Sequence, residues 1–110
     1  MIAGNDHQQH ELADTFAALG DPRRLAIVAR LQGEESLSIS SLCDGMNVSR
    51  QAVSKHLKTL SEAQLVSSKK QGRETRYSLE LPRLKDANEF LVEVGTKWDR
   101  ALERLKSHVE

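Results

Sequence analysis

The sequence predicts a single, mainly α-helical domain with one small β-hairpin. Three observations carry that expectation. The chain of 110 residues fits one domain and leaves no room for two. Apolar residues recur at helical spacing through the first third and the last quarter, and only residues after Leu65 alternate with a period of two. Between these stretches, two short amphipathic segments are separated by a few polar residues, the pattern of two helices joined by a tight turn.

Taken in order, residues 1–9 show no apolar spacing and are expected to be flexible. A first helix is predicted from His10, with Leu12, Ala13, Phe16, Ala17 and Leu19 on one face, and Gly20 stops it. Asp21 is placed to cap a second helix with Pro22 in its first turn, where a missing N–H costs nothing. Leu25, Ile27, Val28 and Leu31 carry that helix to Gln32-Gly33. Leu37 opens a very short strand. The serines from Ser38 to Ser41 can cap a short helix running through Leu42 towards Met46. Asn47 is expected in the turn, because asparagine tolerates the left-handed conformation. Ser49 caps the next helix, which turns Ala52, Val53, Leu57 and Leu60 inward. Residues 38–62 therefore form a helix-turn-helix.

Residues 65–80 read as a hairpin, with Gln71-Gly72-Arg73-Glu74 at the turn and Gly72 free to take a positive φ. Pro82 ends its second strand. The last helix, residues 84–108, is the most regular part of the chain. Leu84, Ala87, Leu91, Val94, Trp98, Ala101, Leu105 and Val109 advance by 3, 4, 3, 4, 3, 4 and 4. That near-heptad seam predicts a helix that packs on another helix. Little else in so small a chain is available to cover it, so homodimerisation through the N- and C-terminal helices is expected, with Leu12, Phe16, Leu91, Val94, Trp98, Ala101 and Leu105 at the interface.

The formal net charge is zero, but the charge is unevenly placed. Residues 1–46 hold 3 basic and 7 acidic side chains, residues 47–85 hold 9 basic and 3 acidic, and residues 86–110 hold 4 basic and 6 acidic. A basic middle between acidic ends is the footprint of a face that binds a polyanion. The outward side of the second helix of the helix-turn-helix supplies Ser49, Arg50, Gln51, Ser54, Lys55 and Lys58, and the hairpin tip supplies Lys69, Lys70 and Arg73. Glutamine can read adenine and arginine guanine in a major groove, whereas lysine and serine suit phosphates. Arg50 and Gln51 are thus assigned to bases, Lys55 and Lys58 to the backbone, and Arg73 to a minor groove. His56 is expected to bond within the fold.

Other classes find less support. No nucleophile is matched with a base, no glycine-rich loop cradles a phosphate and no metal triad is visible, so no enzyme is expected. There is no run of apolar residues long enough for a membrane span, and no secretion signal. The single cysteine, Cys43, argues for a reducing compartment and is expected to be buried and inert. A cytoplasmic, nucleoid-associated location follows. His7, His10 and Glu11 could combine with Asp99, Glu103 and His108 of a partner's last helix, but without a thiolate or a third histidine that set is expected to be a solvated helix start. The alternatives are a winged-helix adaptor that binds protein in place of DNA, or a sensor with an unconventional metal or thiol site. An adaptor would present apolar or acidic groups where this chain presents arginine, lysine and glutamine.

From about Leu12 to Leu105 the chain resembles the ArsR family of bacterial winged helix-turn-helix transcriptional regulators. The stretches that carry the likeness are residues 16–25, FAALGDPRRL, residues 48–60, VSRQAVSKHLKTL, and residues 69–77, KKQGRETRY. The resemblance implies a homodimer that binds an imperfect palindrome in double-stranded DNA and represses its own operon. It also implies where metals bind in the family, and this sequence departs there. Ser38-Ile39-Ser40 stands in place of a Cys-Val-Cys, and Asn88 and Asp99 stand in place of two histidines on the last helix. Serine lacks the thiolate a soft metal needs, so no metal and no cofactor are expected. Gln64 replaces a glycine common before the wing, which predicts a tight or strained helix end there.

Overall fold

The computed structural model describes residues 6–109. Five helices and three strands follow in the order α1 (Asp6–Leu19), α2 (Pro22–Leu31), β1 (Leu37–Ser38), α3 (Ile39–Cys43), α4 (Arg50–Glu62), β2 (Val66–Gln71), β3 (Glu74–Leu79) and α5 (Leu81–Val109). The strands form one antiparallel sheet in the order β1-β3-β2. Leu37 pairs with Tyr77, and Val66 with Leu79. The short strand before α3 is thus the third member of the wing sheet.

Local chemistry explains most boundaries. Asp21 is extended, and its carboxylate accepts from the Arg23 N–H at 3.1 Å, so α2 opens on a capped turn with Pro22 inside it. The Arg24 guanidinium closes α1 by donating to Ala18 O at 2.7 Å and Ala17 O at 3.3 Å. Ser38 caps α3 through a bond from the Ser41 N–H, and Ser49 caps α4 through one from the Ala52 N–H. Gly72 has φ 63° at the hairpin turn, where Gln71 faces Glu74.

Four boundaries differ from expectation. Helix α1 begins at Asp6, so residues 6–9 lie in its first turn and not in a flexible lead; Asp6 suits the positive end of the helix dipole. Residues 1–5 lie outside the described residues. In the turn between α3 and α4 the left-handed residue is Gly45, at φ 80°, and not Asn47. Helix α3 stops at Cys43, short of Met46, because the Met46 N–H bonds to Cys43 O to form that turn. Pro82 opens α5 and does not end β3: the strand stops at Leu79, and a first-turn proline is compatible with the helix.

The core is one cluster. Ile27, Leu31, Leu42, Val53, Leu57, Leu60 and Leu65 are buried at 0–1% exposure, with Ala18 and Val66 beside them. Cys43, expected to be buried, is half-buried at the cluster's edge: Arg30 and the turn after α3 leave one side of it open. Helix α4 is therefore anchored along its inward face by three side chains, which sets the direction of its outward one.

Gln64 is the one non-glycine residue with positive φ among the described residues, at 61°. It sits between α4 and β2, at the position where a strained helix end was expected. The strain holds Leu65 against the core: its N–H bonds to Leu60 O at 2.9 Å, and Leu65 O accepts from the Glu80 N–H at 2.9 Å. Those two bonds tie the end of α4 to the base of the wing.

Candidate nucleic-acid interface

Helix α4 divides cleanly. Val53, Leu57 and Leu60 are buried, whereas Arg50, Gln51, Ser54, Lys55 and Lys58 are exposed. Ser49 is exposed too, but its hydroxyl accepts the Ala52 N–H at 3.1 Å, so it is a capping residue. The cap fixes the first turn of α4, leaving further N–H groups of that turn facing outward as donors for an anion. His56 is half-buried and bonds to no other described residue, contrary to the expectation that it would hydrogen-bond within the fold; it stands between the buried and exposed faces.

On the wing, Lys69, Lys70 and Arg73 are exposed. None of Arg50, Lys55, Lys58, Lys69, Lys70 and Arg73 forms an ion pair with another described residue. Arg76, close to these in sequence, is different. It donates to the Ser36 hydroxyl at 2.8 Å and to Ser36 O at 3.0 Å, and pairs with Glu74 at 3.2 Å. It moors β3 to the loop before β1 and is occupied within the chain.

A second such anchor was not foreseen. Arg30 of α2 donates to the carbonyls of Ser41, at 2.9 Å, Leu42 and Asp44. It caps the C-terminal end of α3, where unpaired carbonyls concentrate. The contacts span 11–14 residues in sequence, so no local pattern announces them. The result is a fixed angle between the two helices of the helix-turn-helix.

The opposite end of the molecule is apolar and open. Leu12 is buried within the chain at 8% exposure, and Phe16 meets Phe90 with ring centroids 6.0 Å apart. Ala101 is half-buried. Beyond Phe90 the seam has nothing to lean on: Leu91, Val94, Trp98 and Leu105 are 55%, 48%, 66% and 61% exposed, and Val92 and Leu102 are open beside them. The radius of gyration is 17.9 Å, against about 13 Å for a compact chain of this length.

The relatives of this chain share its architecture. A helix-turn-helix domain family matches residues 19–68. The solved structure of an ArsR-like transcriptional regulator from Rhodococcus sp. RHA1 superimposes with a TM-score of 0.76 at 41% identity, covering 94% of this chain and 97% of that one. The chain belongs to the ArsR family. Its likeness extends to a SmtB homologue from Synechocystis, described as a transcriptional repressor, with 39% identity over 72 residues, and to the transcriptional repressor SdpR of Bacillus subtilis, with 28% over 89. The match covers 98% of SdpR but only 54% of the Synechocystis protein, so this ArsR-family chain spans about half the length of that relative. Among its described residues no three His, Cys, Asp or Glu side chains are grouped so that they could hold a metal ion, and no helix is long and apolar enough to cross a membrane.

Proposed function

We propose that this chain is a DNA-binding transcriptional repressor that acts as a homodimer on a palindromic operator upstream of its own gene. The observation that carries the reading is the outward face of α4 beside the wing. Six cationic side chains there are exposed and have no ion-pair partner among the described residues. Charges left open in this way, on a helix anchored from behind by Val53, Leu57 and Leu60, suit a polyanion held against a rigid element.

Roles follow from chemistry. Gln51, at the exposed start of α4, can bond an adenine edge in the major groove. Lys55 and Lys58, one turn further on, suit phosphates, as do Lys69 and Lys70. The open seam on α5, with Phe16 of α1 beside it, takes the same seam of a second copy. Two copies then place two α4 helices about 34–36 Å apart, one turn of DNA. The repressors among its relatives support repression as the outcome of binding. Such a protein works in the cytoplasm, on the nucleoid. The serines in place of thiolates leave no soft-metal site, and release from DNA is then independent of arsenic, cadmium or zinc.

Hydroxyl-radical footprinting of the DNA upstream of the gene tests this reading. Two protected segments centred about 10 base pairs apart are expected. A single protected segment, or none, refutes the dimeric repressor.

A further inference from the structure

A cavity of about 310 Å³ opens between α4 and the wing. Arg50 enters it from the helix and Arg73 from the hairpin, with Ser40, Ser54, Thr75 and Tyr77 completing the lining. Glu74 is also at the wall, but its carboxylate is taken by Arg76 at 3.2 Å. The cavity thus has two uncommitted guanidinium groups and four hydroxyls.

The state of the two arginines is informative. Arg50 donates one long bond, to the Ser40 hydroxyl at 3.4 Å, and Arg73 bonds to no other described residue. A guanidinium carries five donors and no acceptor. Donors converging from two separate elements, with rotatable hydroxyls between them, match an anion that offers oxygens on several sides. A base edge is flat and is read from one direction along the groove. Arg50 is also drawn sideways, towards Ser40 and the wing. The charge and the shape both fit a phosphate.

We propose that this cleft seats one DNA backbone phosphate, gripped jointly by Arg50 and Arg73, so that Arg50 is a phosphate-holding residue and not the guanine reader its position in sequence implies. The proposal rests on the DNA-binding reading above. The shared phosphate would couple two elements that otherwise touch DNA separately. Seating it fixes how deeply α4 enters the major groove and which way the wing points. Base discrimination is then left to Gln51 and its neighbours.

The test uses the intact protein and a duplex of random sequence, because phosphate contacts are independent of sequence. Affinities are measured by fluorescence anisotropy for the wild type, Arg50→Gln, Arg73→Gln and the double variant, with circular dichroism to confirm folding. Each single variant should bind about tenfold more weakly, the loss expected for one charge-assisted contact. The double variant should lose less than the product of the two, because both side chains hold the same phosphate. The salt slope should fall by about one per protomer for either variant. In selection from a randomised duplex pool, Arg50→Gln should keep the wild-type base preference, and Gln51→Ala should not.

Independent, multiplicative losses overturn the shared seat while leaving DNA binding intact. So does an Arg50→Gln protein with altered base preference and an unchanged salt slope. Tight, Arg50-dependent binding of inorganic phosphate alone would assign the cleft to a small anion instead of a duplex. A wild type that binds no duplex even at low salt removes both the seat and the DNA-binding reading.

Discussion

Trp98→Ala should separate the dimer without unfolding its subunits. Trp98 is 66% exposed in its own chain. A tryptophan side chain has about 150–250 Å² to bury, so about 100–165 Å² remains open here. At about 25 cal/mol per Å², covering that area is worth about 2.5–4 kcal/mol per protomer. Alanine keeps the first carbon, and an interface seldom covers a side chain completely. Half the two-protomer total, about 2.5–4 kcal/mol per dimer, is a reasonable loss, or about a hundredfold to a thousandfold in dissociation constant. Sedimentation equilibrium over a dilution series measures it. Helicity should be nearly unchanged at concentrations where both proteins are dimers, since Trp98 lies beyond the contact between Phe16 and Phe90 that closes α1 on α5. A variant that dimerises within about threefold of the wild type would refute the placement of this seam at the interface. A wild type that is monomeric would refute the dimer itself.

Other outcomes follow from particular residues. Gln64→Gly should stabilise the protein by about 0.5–1 kcal/mol, since the left-handed conformation costs a non-glycine residue about 1–2 kcal/mol and glycine returns part of that in unfolded-state entropy. Urea unfolding at fixed protein concentration should show a higher midpoint, and a lower one would contradict the strain assigned to φ 61°. Lys58→Ala should weaken binding to all duplexes alike and flatten the salt dependence by about one unit, whereas Gln51→Ala should relax base preference; the reverse pattern would overturn the sorting of contacts. Isothermal titration of the reduced protein with zinc, cadmium or arsenite should show no tight binding, and a stoichiometric, high-affinity transition would overturn the metal-independent reading.

Much of this fold is local and therefore legible. Asp21-Pro22, Ser38 and Ser49 are caps that act within three residues, and Gly72 supplies a turn conformation few residues tolerate. The α4 face is legible for the same reason: inward and outward side chains separate at helical spacing. What could not be read depends on distance. Arg30 reaches carbonyls on another helix, and Arg76 reaches a loop 40 residues back, so one holds the helix-turn-helix together and the other leaves the DNA-facing set. Asn47 and Gly45 were both eligible for the left-handed turn, and the point at which α3 stops decided between them. Pro82 was eligible to end a strand or to start a helix; the exposed length of α5 shows which. The role of Arg50 is likewise a question of three dimensions, because Arg73 lies 23 residues away in sequence and across one cavity in space.

The most direct test of the account is fluorescence anisotropy of the purified protein on DNA from upstream of its own gene, against a scrambled duplex. Salt is varied from about 50 to 200 mM, a range over which phosphate contacts cost orders of magnitude in affinity. The account predicts tight binding of the upstream DNA, well above the scrambled control, with a steep loss as salt rises. Equal or negligible binding to both duplexes, with no salt dependence, would contradict it and turn the basic face of α4 and the wing towards a protein partner.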